Sequence, residues 1–204
     1  SGSVHESSRL IDAQVAMVSG DAALVDTTGQ SSALTSAANV AIGTHIQTHD
    51  GRVALTFGDS LSLRVNVNSR VRFDSEEQIT LASGATYVDS GGLSTGSDLR
   101  IITPAGEVKH QGTQYLVSVS PGATRTVVRE GRVQLGGTRH QTQITAGERI
   151  DIDEAGRISR APAPSFGESW QWVSMIVPAI NLDNRPLSEF LSWMIREHGW
   201  QLRY

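Results

Sequence analysis

The chain has 204 residues, 17 basic against 21 acidic, and a formal net charge of -4. That length allows one good core or two small domains, and the near balance of charge offers no basic face of the kind that binds nucleic acid. There is no cysteine, which removes disulfides and thiolate metal sites and leaves the redox compartment open, and no apolar run approaches the roughly 20 residues needed to span a bilayer.

Residues 1–12 read as a disordered N-terminal segment, small and polar from Ser1 to Ser8. Leu10 to Val18 forms a first strand, the Gly20-Asp21 pair a turn, and Ala22 to Asp26 its hairpin partner. Thr27 to Asn39 is rich in Ser, Thr, Gly and Ala and reads as a loop with weak helical character over Ser31 to Asn39. From Val40 onwards short alternating runs recur: Val53/Leu55/Phe57, Leu61/Leu63/Val65/Val67, Val71/Phe73, Ile79/Leu81, Leu99/Ile101, Tyr115/Val117/Val119, Val133/Leu135 and Ile150/Ile152. Each buries one face of a strand, and turn residues separate them, as at Pro121-Gly122. Gly112 and Gly131 interrupt two of the runs, which signals a bulge, a turn or a close approach of two backbones.

The pattern predicts a mainly β protein of short antiparallel strands, with an all-β domain over residues 13–159. Residues 160–169 read as a Pro-rich linker, Arg160-Ala161-Pro162-Ala163-Pro164-Ser165 being stiffened toward extended geometry. Behind it lie all four tryptophans, Trp170, Trp172, Trp193 and Trp200. Residues 170–204 read as a small β-α-β module, with a strand through Ile176, Val177, Ile180 and Leu182. A helix follows, capped near Asp183-Asn184-Arg185-Pro186. Leu187, Phe190, Leu191, Met194 and Ile195 make its apolar stripe. Gly199 is expected as the C′ residue, and Trp200, Leu202 and Tyr204 alternate as a second strand.

Several patterns look chemical and fail on physical grounds. Gly92-Leu93-Ser94-Thr95-Gly96 matches the nucleophile elbow, but that motif needs a strand turning into a helix, and Leu99-Arg100-Ile101 behind it is strand-like. His45 and His49 would share a helix face, yet their surroundings are extended, where four residues separate them by roughly 13 Å. Asp151-x-Asp153-x-Ala155-Gly156 opens like a calcium loop but has Ala155 and Pro162 where oxygen ligands are required. Glu76 and Glu77 are adjacent and would face opposite sides of a strand. No cluster of acid, base and cation emerges, so neither an enzyme nor a metal or cofactor site is expected. Trp193 falls off the apolar stripe of its helix and is expected to be partly exposed.

Gly112-Thr113-x-Tyr115-x-Val117, followed by Val128-x-Glu130-Gly131-x-Val133-x-Leu135, resembles the centre of the FecR domain, a periplasmic all-β module of bacterial signal-transducing regulators. The likeness extends upstream through Leu81, Gly84, Ala85, Tyr87 and Val88, with Val88 one place earlier than strict alternation, and through Thr48-x-x-Gly51-x-Val53-Ala54-Leu55-x-Phe57. Downstream it reaches Ile144-x-Ala146-Gly147-Glu148. Pro186-Leu187 with the following helix, His198-Gly199-Trp200 and the alternating end resemble the first half of the short signalling module found on secretins and TonB-dependent receptors.

The resemblance implies a solenoid-like or sandwich-like β domain and a periplasmic protein anchored in the inner membrane through residues upstream of Ser1. It further implies a protein partner, the signalling domain of a TonB-dependent receptor, and relay of the signal to an extracytoplasmic-function sigma factor. Trp193, Trp200, Leu202 and Tyr204 are the partner-binding residues expected on this reading, and a bare edge strand at Trp200 to Tyr204 would allow a dimer. The alternative is a cell-envelope β scaffold that binds glycan or another envelope protein and has no sigma-factor role.

Overall fold

Alternating apolar residues drive the chain into β structure almost throughout. The computed structural model describes residues 10–58, 61–91, 99–137, 141–178 and 186–200, with side chains from Ala13 onwards. Fifteen strands are present among them: β1 (Leu10–Ser19), β2 (Ala22–Val25), β3 (Ser31–Ala33), β4 (Asn39–Ala41), β5 (His45–Thr48), β6 (Arg52–Phe57), β7 (Leu61–Val65), β8 (Arg70–Ser75), β9 (Gln78–Asp89), β10 (Arg100–Thr103), β11 (Gly106–Ser120), β12 (Ala123–Gly136), β13 (Gln141–Thr145), β14 (Glu148–Asp153) and β15 (Ile158–Pro162). Two helices follow, α1 (Glu168–Ser174) and α2 (Leu187–His198). The loop expected over Thr27 to Asn39 contains β3 and the start of β4, which pair with β2 and β1.

Three long strands organise the domain because each serves two layers. The second half of β9 pairs with β7 and β11, while its first half pairs with β8 and β10. Likewise β12 gives residues 123–127 to β14 and residues 132–136 to β13. One layer therefore runs β4-β1-β6-β7-β9-β11-β12-β14-β15, and the other runs β3-β2-β5-β8-β9-β10-β11-β12-β13. The result is an open, sandwich-like fold rather than a closed barrel. Pairing is antiparallel with one exception, β9 with β10, which run parallel at Gln78/Arg100 to Thr80/Ile102. A hairpin cannot join parallel neighbours, and here the whole second half of β9 and residues 90–99 intervene before β10 begins.

The strands bend from one layer to the other at irregular points. Between Gln111/Arg132 and Gln114/Glu130 the β11–β12 register shifts, and Gly112 and Gly131 sit inside that break. Gly131 has φ +74, and a Cβ there would collide with the Gly112 carbonyl. Both readings of an in-strand glycine, bulge and close backbone approach, thus apply at this point.

The main core lies between the layers and draws on nearly every strand: Val15, Leu55, Leu63, Val88, Tyr115 and Val128 from one, Ile46, Phe73, Ile79, Ile101, Val133 and Ile144 from the other. A second, smaller cluster lies on the outer face of the first layer, where Ala54, Tyr87, Leu116 and Val127 meet Trp170, Trp172, Val173 and Ile176. Tyr87 and Val88 are both fully buried because β9 is covered on both sides at that point. That is the physical reason for the early valine noted in the sequence.

Residues 160–162 of the proline-spaced stretch extend β15 along β14, with Glu148 opposite Pro162 and Ile150 opposite Arg160. Behind it, Trp170 and Trp172 fall in α1; Ile176 and Val177 follow α1 and are not in a strand. The rest of the first expected strand, and the second from Gln201 on, lie outside the described residues, as does the Gly92 to Gly96 motif.

Candidate functional site

The outer face of the first layer is where the C-terminal segment meets the β domain, and its residues are set by strand register. Ala54, Arg64, Tyr87, Leu116 and Val127 form one row, each opposite the next across β6, β7, β9, β11 and β12. Two residues further along, Ser62, Asp89, Gln114 and Glu130 form the next row. Arg129 is the extra residue of a bulge, since Gln114 pairs with Glu130 and Tyr115 with Val128. A bulge re-aims a side chain, and here it puts Arg129 and Glu130 on the same outer face.

Helix α1 lies over the first row through hydrophobic contact. Trp170 meets Tyr87 edge to face, with centroids 6.2 Å apart at 88°, and its Nε1–H donates to the Pro164 carbonyl at 2.8 Å. The Arg129 guanidinium covers the Trp170 ring at 4.0 Å, and Arg64 lies 5.1 Å from the Tyr87 centroid. Such contacts add to the area buried by the rings. Burial pushes the Tyr87 hydroxyl's pKa up, with the Asp89 charge adding to the effect.

Helix α2 approaches differently. It ends in a Schellman arrangement: Gly199 is left-handed at φ 65, its N–H donates to Arg196 O, and the Trp200 N–H donates to Ile195 O at 3.0 Å. The expected C′ glycine is in place. At the other end Pro186 occupies the cap position with no side-chain cap, so the helix begins at Leu187, one residue after the expected cap run.

The last turn of α2 carries the contact with the sheet, and that contact is ionic. Glu197 accepts two hydrogen bonds from Arg64, Nη1 to Oε2 and Nη2 to Oε1, both 2.8 Å. Arg64 is 1% exposed and Glu197 is also buried. Arg64 Nη1 also donates to Val173 O at 2.9 Å, at the C-terminal end of α1. Arg129 donates from Nε to Ser165 O at 2.7 Å and from Nη1 to Glu197 O at 3.1 Å. Arg196 returns to the sheet, bonding Asp89 through Nε and Nη2 and Glu130 through Nη1 at 2.7 Å. Gln114 Nε2 donates to Asp89 at 2.9 Å and to Arg196 O at 3.3 Å.

Three guanidinium groups thus face three carboxylates, and arginines cap the negative ends of both helices. For Arg64 burial works against the charged form, and Glu197 more than offsets it, so its pKa moves up. Arg196 behaves the same way, with Asp89 overcoming desolvation. Arg129, desolvated and beside Arg64, moves down.

This docking leaves part of the apolar stripe of α2 open to solvent. Leu187 is 70% and Leu191 48% exposed, while Phe190, Met194 and Ile195 are half-buried. Trp193 is half-buried and stacks on Phe190 at 6.1 Å. Trp200 is 54% exposed and stacks on His198 at 4.8 Å. Of the four expected partner-binding residues, Trp193 and Trp200 thus lie on the docked helix and just beyond it, and Leu202 and Tyr204 lie outside the described residues. The Arg64, Asp89, Arg129, Arg196 and Glu197 cluster was not foreseen. Its one sequence signal is the adjacent Tyr87-Val88 pair, which marks a strand buried on both sides.

The other patterns are dispersed over strands and turns. His45 lies in β5, half-buried, and His49 in the turn after it. Asp153 accepts hydrogen bonds from the Arg157 N–H and Nε in the β14–β15 turn. Among the described residues no cluster of three or more His, Cys, Asp or Glu could hold a metal ion.

Residues 44–134, from β5 to β12, match the family model described as FecR protein. No curated protein matches the chain significantly. Two crystal structures of an anti-sigma factor candidate from Parabacteroides distasonis superpose on it, both at 15% identity. One has a TM-score of 0.54 and covers 75% of this chain and 74% of that one; the other has a TM-score of 0.51 and covers 74% and 72%. At that identity the likeness is one of fold. The likeness is thus to a FecR domain over residues 44–134, on a mainly β fold shared with those two structures. Among the described residues no helix is long and apolar enough to cross a membrane.

Proposed function

We propose that this protein is the periplasmic part of a FecR-like regulator anchored in the inner membrane. On this reading it binds the signalling domain of a TonB-dependent receptor through its C-terminal segment and relays the signal to an extracytoplasmic-function sigma factor. The observation that supports it most is the exposure of Leu187 and Leu191 on α2 and of Trp200 just beyond it, because exposed apolar and aromatic side chains are the raw material of a partner interface. Residues 13–159 then act as the β platform, residues 160–169 as the connection, and residues 170–204 as the module that reads the partner. Trp193, Trp200, Leu202 and Tyr204 are the contact residues of this proposal.

The test is transcriptional. Deleting the gene in the source bacterium should change a coherent set of transcripts served by one extracytoplasmic-function sigma factor, and a chromosomal Trp193→Asp/Trp200→Asp variant should no longer respond when the receptor's substrate is supplied. A deletion that alters no sigma-dependent transcript sinks the relay and favours the envelope scaffold.

A further inference from the structure

The two helices are held to the sheet by opposite kinds of contact. Trp170, Trp172, Val173 and Ile176, in and just after α1, belong to an apolar cluster that includes four residues of the sheet; no residue of α2 belongs to it. Among the described residues, the polar contacts of α2 with the sheet come from the side chains of Arg196 and Glu197 and the carbonyls of the same two residues. None of its apolar stripe joins either core cluster of the described residues, and Leu187 and Leu191 are exposed, although a hydrophobic stripe is what ordinarily seats an amphipathic helix.

We propose that α2 is a releasable arm, fixed to the β domain by a two-part ionic latch, Arg64–Glu197 on one side and Asp89–Arg196–Glu130 on the other. A buried ion pair gains little net stability because desolvation offsets its attraction, yet it is lost abruptly when one partner leaves. A contact of that kind gives two discrete states, docked and free, with a small gap between them. A helix of 12 residues is marginal by itself in water, so the free arm loses its helix unless another surface takes the apolar stripe. Arg64 and Glu130 stand on β7 and β12, with β9 and β11 between them, so release frees charges in two adjacent rows of the sheet at once. A protein that buries the stripe would bias this equilibrium; that final step rests on the partner reading above, whereas the latch does not.

Amide hydrogen exchange on the whole chain tests the latch without any partner. Glu197→Gln keeps the shape and removes the charge, and Arg196→Ala cuts the half-exposed side of the latch without touching the sheet. In Glu197→Gln the amides of residues 191–198 should exchange on the order of 100-fold faster, and in Arg196→Ala about tenfold faster. The amides of residues 114–119 in β11 should stay within twofold of the parent in both. Unchanged protection of α2 overturns the proposal. So does equal acceleration in β11, which would make α2 an inseparable part of the global fold. Neither result bears on capture of a partner by Trp193 and Trp200, which is measured separately.

Discussion

Arg64 stands on β7 between Leu63 and Val65, both fully buried, and alternation by itself would point it into water. It is buried because α1 and the end of α2 cover that face, a fact decided more than 100 residues away in the chain and invisible to any local pattern. Gly131 is the contrary case, where the sequence signal suffices. Its φ of +74 and the Gly112 carbonyl against it leave no room for a side chain. Gly131→Ala should therefore lower the unfolding free energy by about 2 kcal/mol or more, from backbone strain and displaced register together, seen as a lower urea midpoint with an unchanged slope. A shift within 0.5 kcal/mol, taken as roughly the scatter of neutral surface changes, would contradict the account of that bulge.

At the level of elements, α1 is a hydrophobic lid and α2 an ionic one, and they should fail differently. Trp170→Ala removes a buried ring that meets both Tyr87 and Arg129 and should cost about 3–5 kcal/mol in equilibrium unfolding. An effect below 1 kcal/mol, far under that range, would show that α1 is not a working part of the domain. The β13–β14 hairpin is held by Glu148, whose carboxylate accepts from the Thr145 N–H and hydroxyl at 2.8 Å and from Arg160 at 2.9 Å. The Thr145 bonds first, and Arg160 after them, lower its pKa from 4.5 to about 2. A depressed carboxylate contributes stability that is present above the unfolded value and lost as pH falls through the folded one. Glu148→Gln should thus be destabilising near neutral pH, by about 1 kcal/mol or less since water reaches the site, and should flatten the fall in stability between pH 4.5 and about 2. An unchanged slope over that window would contradict it. The helix stripe and Gly199 were legible in the sequence, but which face of α2 would dock was not, because amphipathicity says where a helix can bury itself and not whether something else has already taken the place.

For the whole molecule, the mainly β fold follows from the recurring alternating runs, and the residues that carry the FecR resemblance, Thr48 to Glu148, run from β5 to β14 and overlap most of the matched residues 44–134. The division of β9, β11 and β12 between two layers and the single parallel pair were not legible, since a long strand that bends reads in sequence as two short ones. The outer face was missed for a related reason: each strand there was assigned one buried side, when Tyr87, Leu116 and Val127 bury the other against Trp170 and Trp172. The central claim is that the end of the chain, carried by α2, meets a receptor. Its most direct test is to immobilise the protein and capture partners from solubilised envelope of the source bacterium, comparing the parent with Trp193→Asp/Trp200→Asp and with Leu202→Asp/Tyr204→Asp, each first shown by circular dichroism to be folded. The account predicts that a TonB-dependent receptor, identified by mass spectrometry, is recovered by the parent and lost from both variants; recovery by all three alike, or of glycan-associated proteins alone, would contradict it.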